Sequence, residues 1–330
     1  MKKALFILGP KAYELIYGEE HHKNLSQLVD LNPEPQTSQS VRQNPACLEQ
    51  AEIIFSGWGG PVMDQEFLDL APRLKMVLYG AGSIRRCTGD SFWNRGIRIT
   101  SAYAANAVPV SEYTLASILF SLKRGWYFAR EIKANHAYPP KQDPPGAYNS
   151  TVGLLSLGMV GKLVRERLRP FDLNVLACDP FIDEETADWM DLEPVDMKAL
   201  FERSDVVSVH TPLLNETRNM IRGEHFASMK HNATFINTSR GAVVQQDEMI
   251  EVLRQRPDLQ AVLDVTYPEP PAPGSPLFTL PNVTLTPHIA GSAGPECRRM
   301  GRYMVDELKR HLNDEPLKWE ITRERAAVLA

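Results

Sequence analysis

The segment Thr151-Val152-Gly153-Leu154-Leu155-Ser156-Leu157-Gly158-Met159-Val160-Gly161-Lys162 contains a short apolar strand, a tight turn of small residues and the start of a helix. This is the shape of a dinucleotide phosphate site, in which Gly158 lets the backbone approach a pyrophosphate and Gly161 lets the helix pack closely on the strand. The free N–H groups at the helix start would bind the anion. Met159 and Val160 are therefore candidate phosphate-binding residues together with the two glycines.

Ser156 and Asp179 complete the predicted nucleotide site. Ser156 stands where the fingerprint G-x-G-x-x-G has its first glycine, so the turn is expected to form there only if the backbone avoids positive φ. Asp179 closes the apolar run 174–178 and lies 18 residues beyond Gly161 (179 − 161), where an acid would bind the ribose 2′-hydroxyl. A proline and a phenylalanine follow this aspartate rather than an arginine, which favours NAD over NADP. The alternative is an ordinary strand, turn and helix with a surface aspartate.

Length, charge and cysteine usage narrow the class of protein. The 330 residues predict two domains, and 43% hydrophobic residues suffice for two sizeable cores. A net charge of −5 without a basic run argues against binding to nucleic acid or to a membrane surface. No apolar segment reaches the roughly 18 residues of a membrane span, and the apolar N-terminal run is too short for an export signal. The four cysteines are scattered without ligand spacing, so we expect no disulfides, no metal site and a reducing cytoplasm.

Apolar runs of strand length alternate with helix-like segments, which predicts an α/β fold with two doubly wound parallel sheets joined by right-handed crossovers. Ten strands are expected, at Leu5–Leu8, Glu52–Phe55, Leu74–Tyr79, Ile97–Thr100, Val152–Leu155, Val175–Cys178, Val206–His210, Ala233–Asn237, Ala261–Val265 and Val283–Thr286. A terminal helix at Glu296–Leu312 follows a complete second domain and could pack back on the first. The first domain is therefore expected to be discontinuous.

Three other segments have a distinct pattern. Apolar positions from Ser111 to Asn135 recur every three to four residues and predict one long helix with a broad buried face. The proline-rich stretch 138–146 cannot continue that helix and leads into the glycine turn. The polar segment 31–45 holds three prolines and is expected to be a surface loop.

Polar residues follow five of the predicted strands in the second half of the chain. Ligands of open α/β sheets bind at the carboxyl ends of the strands, so these positions are candidates for a site. They are Asp179, His210-Thr211-Pro212, Asn237-Thr238-Ser239-Arg240-Gly241, Asp264 and Pro287-His288. Each of them could be an ordinary polar loop, and it is their coincidence at one sheet edge that indicates a site.

These segments resemble the NAD-dependent D-isomer-specific 2-hydroxyacid dehydrogenase family. The matching segments occur in the family's order over nearly the whole chain, at 80–82, 106–112, 151–161, 204–213, 236–241, 263–270 and 286–291. The resemblance implies a Rossmann-type NAD-binding domain at 105–291. It also implies a flavodoxin-like substrate-binding domain at 1–104 that is completed by 292–330. A homodimer is expected in the same way, with the helix at 111–135 as a candidate interface, although its apolar face could instead belong wholly to the core.

The resemblance further implies a catalytic triad of Arg240, Glu269 and His288. Arg240 would hold and polarise a 2-oxo acid, His288 would exchange the proton, and Glu269 would orient the imidazole. The chemistry agrees, because arginine is always charged and binds carboxylates bidentately, while histidine titrates near neutrality beside a carboxylate. No metal is needed, because the arginine supplies the charge.

Cofactor and substrate residues are carried over on the same basis. The residues expected to bind NAD are Ser156, Gly158, Met159, Val160, Gly161, Asp179, His210, Thr211, Pro212, Thr217, Thr238, Ser239, Asp264 and Gly291, with Arg240 also lining the cofactor. The backbone of Ala81 and Gly82 would receive the substrate carboxylate. Trp58, on a glycine-rich loop, could cover a bulky substrate, although it could equally be a core or interface aromatic.

The implied activity is hydride transfer between NAD(H) and a small 2-oxo or 2-hydroxy acid of D configuration, such as glyoxylate, hydroxypyruvate or a related acid. Arg85 and Arg86 follow the expected substrate loop and would suit an extra anionic group, although two solvated arginines are the simpler interpretation. The alternative function is an NAD-responsive binding scaffold related to transcriptional corepressors, without turnover.

Overall fold

The computed structural model describes residues 1–141 and 144–328, so Gln142 and Asp143 of the proline-rich stretch lie outside the described residues. The chain divides into two compact units. The first unit is Met1–Asn106 together with Ser292–Ala330, and the second is Ala107–Gly291. The chain crosses between the units after residues 106 and 291, where the sequence predicted crossings after 104 and 291.

The first unit contains a five-stranded sheet in the order β2-β1-β3-β4-β5, in which every neighbouring pair is parallel. Its strands are β1 (Lys3–Ile7), β2 (Asp30–Leu31), β3 (Ile53–Ser56), β4 (Met76–Tyr79) and β5 (Arg98–Ser101), and its first helices are α1 (Pro10–Ile16), α2 (Gly18–Ser26), α3 (Ser38–Gln43), α4 (Gln65–Leu70) and α5 (Asp90–Asn94). This strand order is the flavodoxin-like one, which confirms the predicted fold of this unit. The short edge strand β2 was not predicted.

The prediction that 31–45 is a loop was wrong, because this segment contains the end of β2 and the whole of α3. The helix begins at a capping box. Thr37 Oγ1 accepts a hydrogen bond from the Ser40 N–H at 3.0 Å, and Ser40 Oγ accepts one from the Thr37 N–H at 2.9 Å. Val41 is fully buried, so one cap and one apolar side chain stabilise a helix that the polar composition concealed.

The second unit contains a seven-stranded parallel sheet in the order β12-β11-β10-β9-β6-β7-β8. Its strands are β6 (Thr151–Leu155), β7 (Asn174–Cys178), β8 (Glu193–Pro194), β9 (Val206–Val209), β10 (Thr234–Asn237), β11 (Gln260–Leu263) and β12 (Val283–Leu285). Its helices are α6 (Tyr103–Leu122), which begins in the first unit, α7 (Gly125–Asn135), α8 (Met159–Leu168), α9 (Glu184–Met190), α10 (Met197–Arg203), α11 (Gly223–Ser228) and α12 (Gln246–Gln255). The two parallel-sheet units confirm the predicted doubly wound α/β class.

The strand order of the second unit reverses at β6. The chain places β7 and β8 on one side of β6 and then β9, β10, β11 and β12 on the other. Leu155, the last residue of β6, pairs with Cys178 of β7 and with Val209 of β9. Ser156, Asp179 and His210 are the next residues of these three strands. The parallel register therefore brings them to one sheet edge, at the switch point where such folds bind ligands.

Both sheets are covered on both faces, which explains their nearly continuous apolar strands. In β3, Ile54 belongs to one buried cluster of the first unit, while Ile53 and Phe55 belong to the cluster on the opposite face. In β9, Val207 and Val206 divide in the same way between the two clusters of the second unit. The alternation of side chains along a strand thus serves two cores at once.

The predicted single helix at 111–135 is two helices. α6 ends at Leu122, and Arg124 has a left-handed backbone with φ of 52° before α7 begins at Gly125. The Arg124 guanidinium lies over the Tyr127 ring at 4.4 Å. Apolar residues recur every three to four positions on both sides of this break, because each of the two helices has its own apolar face. This spacing does not indicate where one helix ends and the next begins.

The chain returns to the first unit through α13 (Cys297–Leu312) and α14 (Arg323–Val328). Met300, Met304 and Leu308 of α13 recur every four residues and are fully buried. Gly301 lies against α1, where a Cβ would come within 2.0 Å of the Ile16 carbonyl oxygen. Of the described helices, none combines the length and apolarity of a membrane span.

Candidate active site and cofactor cradle

The glycine turn after β6 is shaped by two glycines with different surroundings. A Cβ on Gly161 would lie 2.3 Å from the Ser156 carbonyl oxygen, so the close packing of α8 on the turn requires glycine. A Cβ on Gly158 would meet no atom within 4 Å, so the protein itself leaves that space open. Met159 and Val160 begin α8, whose N-cap residue Gly158 offers no side-chain cap to the free N–H groups. The turn therefore has the room and the donors that a pyrophosphate needs.

Ser156 has φ of 75°, so the expectation that its backbone avoids positive φ was wrong. The left-handed region costs a residue with a Cβ about 1–2 kcal/mol. Two hydrogen bonds hold the turn in this conformation. The Ser156 N–H donates to the Cys178 carbonyl at 2.9 Å, and its hydroxyl lies 2.9 Å from Thr211 Oγ1. The second bond is one that glycine could not form, which accounts for a serine at this position.

The Asp179 carboxylate lies beside the glycine turn. Its Oδ2 accepts a hydrogen bond from the Leu157 N–H at 2.7 Å, and its Oδ1 accepts one from the Phe181 N–H at 2.8 Å. Each carboxylate oxygen retains a second lone pair for a ribose hydroxyl. Asp179 therefore fixes the turn and can still serve the role that the sequence assigned to it.

The loop after β9 is held by its own side chains. Thr217 Oγ1 donates to the Pro212 carbonyl at 2.6 Å and accepts from the Leu214 N–H at 2.8 Å. His210 Nε2 lies 3.2 Å from Ser208 Oγ, and its Nδ1 is buried without a hydrogen-bond partner among the described residues. Burial lowers the pKa of His210 to about 3, so this imidazole is neutral at physiological pH and is not a proton donor there.

The loop after β10 is organised by Asn237. Its Oδ1 accepts hydrogen bonds from the N–H and the hydroxyl of Ser239, both at 2.9 Å, and its Nδ2 donates to the Arg240 carbonyl at 3.1 Å. The Arg240 Nη1 donates to the Ser239 carbonyl at 2.7 Å, and the Thr238 hydroxyl lies 3.2 Å from that of Thr114. Asn237 was quoted in the motif but received no role from the sequence. Its buried position at a strand end was the available signal.

The backbone of Gly241, the residue after Arg240, lies against the loop that follows β11. A Cβ on Gly241 would come within 2.0 Å of the Thr266 carbonyl carbon, so only glycine allows these two backbones to meet. The Thr266 hydroxyl donates to the Pro268 carbonyl at 2.8 Å and shapes the turn that carries Glu269. Arg240 and Glu269 are thus held on two loops that touch.

His288 and Glu269 form the most direct pair of the site. His288 Nδ1 lies 2.6 Å from Glu269 Oε1, and the two side chains are 47% and 42% exposed. The other ring nitrogen, Nε2, has no hydrogen-bond partner among the described residues. His288 has a left-handed backbone with φ of 55°, and its N–H donates to the Asp264 carbonyl at 2.9 Å. The imidazole therefore has a defined carboxylate partner, and its main chain is held in a strained conformation.

Asp264 is 2% exposed, and its carboxylate accepts hydrogen bonds from a hydroxyl group and from backbone N–H groups. Oδ1 accepts from the Thr286 hydroxyl at 2.7 Å and the Ile289 N–H at 2.8 Å, and Oδ2 accepts from the Ala290 N–H at 2.9 Å. The sequence assigned Asp264 to the cofactor, and the structure adds that it anchors the loop of His288. Gly291, also assigned to the cofactor, ends this loop and the second unit.

Three of the substrate residues predicted from the sequence, Trp58, Ala81 and Gly82, follow strands of the first unit. Trp58 follows β3, is 40% exposed, and its carbonyl accepts from the Gly9 N–H at 2.8 Å. The Ala81 carbonyl accepts from Ser101 Oγ at 2.9 Å, and the Gly82 carbonyl accepts from the same hydroxyl. Trp58 thus lies where the strand order of this sheet reverses, between the ends of β1 and β3.

Arg85 has a structural contact within the first unit. Its Nη2 donates to the Ala327 carbonyl in the last turn of α14 at 3.1 Å. A cation at a helix C-terminus is favoured by the helix dipole. Among the described residues, no group of three or more His, Cys, Asp or Glu side chains could hold a metal ion.

Replacing each glycine of the turn by alanine is expected to have a different effect, on stability at one position and on NADH binding at the other. We expect Gly161→Ala to destabilise the protein by about 2 kcal/mol, because its Cβ meets backbone that must move. We expect Gly158→Ala to change stability by less than about 1 kcal/mol and to weaken NADH binding at least tenfold, because its Cβ enters the space left for the pyrophosphate. Urea unfolding and NADH fluorescence titration check both. Unchanged NADH affinity in Gly158→Ala would contradict this assignment.

His210 predicts a pH dependence of stability. Its pKa falls from 6.5 to about 3 on folding, so below about pH 6.5 the unfolded chain binds a proton that the folded chain does not. Stability should therefore fall as the pH is lowered from about 6.5 towards 3, by up to about 1.4 kcal/mol per pH unit. His210→Gln removes this contribution, so its unfolding free energy should fall less steeply than that of wild type between pH 6 and pH 4.5 in urea titrations. Equal slopes would show that His210 is not buried in its neutral form.

Comparison with known proteins identifies the family of the second unit. Residues 115–290 match the family profile of the D-isomer specific 2-hydroxyacid dehydrogenase, NAD binding domain. The (S)-sulfolactate dehydrogenase of Chromohalobacter salexigens is 32% identical over 275 residues, which cover 80% of this chain and 88% of that protein. The glyoxylate reductase of Thermofilum pendens is 32% identical over 253 residues, 74% of each chain.

Longer relatives and solved structures agree with this match. The D-3-phosphoglycerate dehydrogenase of Archaeoglobus fulgidus is 30% identical over 246 residues, which cover 74% of this chain and 47% of that protein. The chain thus spans about half the length of such relatives. Apo D-mandelate dehydrogenase of Rhodotorula graminis superposes with a TM-score of 0.82 at 22% identity over 98% of both chains, which shows the common fold. Residues 115–290, which match the NAD-binding domain of the family, lie in the Ala107–Gly291 unit, and the chain belongs to the D-isomer specific 2-hydroxyacid dehydrogenase family.

Proposed function

We propose that this protein transfers a hydride between NAD(H) and a small 2-oxo or 2-hydroxy acid of D configuration. The observation that carries the proposal is the contact of 2.6 Å between His288 Nδ1 and Glu269 Oε1, on the loops that follow β11 and β12 of the NAD-binding unit. Arg240 lies on the neighbouring loop, whose backbone meets Thr266 at Gly241. An imidazole, a carboxylate and a guanidinium on adjoining strand ends form a set suited to reducing a 2-oxo acid.

The three side chains have separate roles in this proposal. The glycine turn and Asp179 would hold NADH, which would be the source of the hydride for the carbonyl carbon. His288 gives a proton from Nε2 to the carbonyl oxygen, and Glu269 stabilises the protonated imidazole through Nδ1. Arg240 binds the carboxylate and polarises the carbonyl through the planar donors of its guanidinium. Oxidation of the hydroxy acid reverses each step, and we propose reduction as the direction in the cell.

We assign the substrate carboxylate to the N–H groups of Ala81 and Gly82. Their carbonyls are engaged by the Ser101 hydroxyl, while neither N–H donates a hydrogen bond within the described residues. Trp58 lies at the switch point of the first unit and is assigned to the substrate side chain.

Glyoxylate and hydroxypyruvate are the first candidate substrates. 3-Sulfopyruvate, the oxo acid of sulfolactate, is added because of the relative from Chromohalobacter.

Two further properties belong to the same proposal. The free thiols of all four cysteines support a reducing cytoplasm as the site of action. A homodimer is supported by α7, in which no side chain is buried although Trp126, Tyr127 and Phe128 lie on it. Phe120 of α6 is 43% exposed and packs edge-on against Trp126. No comparable observation favours a corepressor-like scaffold, and turnover distinguishes it from an enzyme.

We expect the purified protein to oxidise NADH in the presence of at least one of these acids and to form the D-hydroxy acid. His288→Asn should lower kcat by about 10²–10⁴ because the proton donor is lost. The matched control is His231→Asn, since His231 is another exposed histidine paired with a carboxylate, 3.1 Å from Asp258. Absorbance of NADH and chiral chromatography of the product are the measurements. NADH binding without turnover on any acid, or equal loss in both variants, would overturn the proposal.

We expect the protein to sediment as a dimer and Phe120→Ser to shift it towards the monomer, because an aromatic side chain is removed from the proposed interface. Phe278→Ser is the control, since Phe278 is 58% exposed elsewhere in the same unit. Sedimentation velocity at several concentrations separates these outcomes. A monomeric wild type, or a dimer that Phe120→Ser leaves intact, would exclude this face as the interface.

A further inference from the structure

A chain of hydroxyl groups leads from α6 to the loop of His288. The Tyr113 hydroxyl lies 2.9 Å from Thr286 Oγ1, and the Thr286 hydroxyl donates to Asp264 Oδ1 at 2.7 Å. A threonine hydroxyl has a single proton, which is committed to the carboxylate. The tyrosine must therefore donate to the threonine, and the bonds run in one direction from Tyr113 through Thr286 to Asp264.

Asp264 binds the backbone N–H groups of His288 and of the two residues that follow it. Its main-chain carbonyl accepts from the His288 N–H at 2.9 Å. Its carboxylate accepts from the N–H groups of Ile289 at 2.8 Å and Ala290 at 2.9 Å. Three successive N–H groups of the loop thus converge on one residue. The Asp264 carboxylate thus holds the backbone that directly follows His288.

The His288 backbone needs such support. Its φ of 55° lies in the left-handed region, which residues other than glycine occupy only when their surroundings determine it. The side chain is 47% exposed, so packing does little to orient the ring. The direction of Nε2 depends on two constraints, the Glu269 contact at one end and the loop backbone at the other.

The surroundings of Tyr113 favour a role for its hydroxyl group as a hydrogen-bond donor. It lies on α6 within the second unit, and burial raises the pKa of its hydroxyl above the ordinary value. The hydroxyl therefore keeps its proton near neutral pH. Tyr113 and Thr286 do not lie on the glycine turn, and neither is among the residues that the sequence assigned to NAD, so the two residues are available for a role that is separate from holding the cofactor phosphates.

We propose that Tyr113 and Thr286 are positioning residues, which fix the Asp264 carboxylate and through it hold the His288 imidazole where it delivers its proton. This inference rests on the proposed function of His288. It predicts an effect on kcat that is larger than any effect on substrate or cofactor affinity, because neither side chain is itself assigned to a ligand and only Asp264, through which they act, is assigned to the cofactor.

Thr286→Val and Thr286→Ser form the decisive pair. Valine keeps the shape and removes the hydroxyl, whereas serine keeps the hydroxyl and removes one methyl group. We expect Thr286→Val to lower kcat about 10- to 100-fold, since small displacements of a catalytic group have effects of this order. KM and the NADH dissociation constant should change less than about twofold, and Thr286→Ser should restore at least about half of the wild-type kcat. Tyr113→Phe should lower kcat about 3- to 10-fold, the size of one hydrogen bond.

Three measurements separate the possible results. Steady-state kinetics and NADH titration supply the first two, and crystal structures of wild type, Thr286→Val and Thr286→Ser supply the third. The crystal structures should show a longer distance between His288 Nδ1 and Glu269 Oε1 in the valine variant and the wild-type distance in the serine variant. Equal kcat in Thr286→Val and wild type would overturn the inference. Parallel loss of kcat and NADH affinity without rescue by serine would also overturn it, because that pattern marks a purely structural role.

The crystal structures also separate failure of this inference from failure of the proposed function. If wild type reduces none of the acids, the proposed function fails, and the geometry of His288 in the three structures alone decides the positioning role. An unchanged Nδ1–Oε1 contact in Thr286→Val would then overturn it. A lengthened contact that serine restores would support it independently of turnover.

Discussion

The parallel pairing of β6 with β7 and β9 is the constraint on which the candidate site depends. Because Leu155 is in register with Cys178 and Val209, the turn of Ser156, the carboxylate of Asp179 and the ring of His210 leave the sheet at the same level. β10, β11 and β12 extend the same edge and supply the loops of Arg240, Glu269 and His288. Residues far apart in sequence thus become neighbours through backbone hydrogen bonds, before any side chain contributes.

Side-chain oxygens and amides then fix the loops that the sheet brings together. Asn237 holds Ser239 and Arg240, Asp264 holds the loop of His288, and Asp179 holds the glycine turn. Each of these groups satisfies backbone donors or acceptors that an irregular loop would otherwise leave unpaired. The same residue types that sequence reasoning assigned to ligands therefore also serve the protein, and a carboxylate can do both because it has lone pairs to spare.

Two residues with a Cβ, Ser156 and His288, occupy the left-handed region at the two ends of this arrangement. Each is held by neighbouring hydrogen bonds, Ser156 by Cys178 and Thr211 and His288 by Asp264. Strain of about 1–2 kcal/mol at each position is small beside the energy of the surrounding core. Backbone strain of this kind at strand ends is typical of functional sites, which keep a particular geometry at some cost in stability.

The sequence by itself determined the fold class, the family and the strands of both sheets other than the short edge strands β2 and β8. Buried parallel strands are continuous apolar runs, and the glycine at 161 is required by a close approach of backbones.

Local sequence patterns failed where the structure of a segment depends on a residue far away in the sequence or on the backbone conformation of a single residue. They missed α3, whose capping box overrides a polar composition, and the break at Arg124, which periodicity does not register. They also led to the wrong backbone conformation for Ser156. Thr211, whose hydroxyl group supports the observed conformation, follows another strand. The tertiary structure alone revealed that Tyr113, Thr286 and Asp264 form one network, since hydrogen bonds between residues 22 and 173 positions apart leave no local pattern in the sequence.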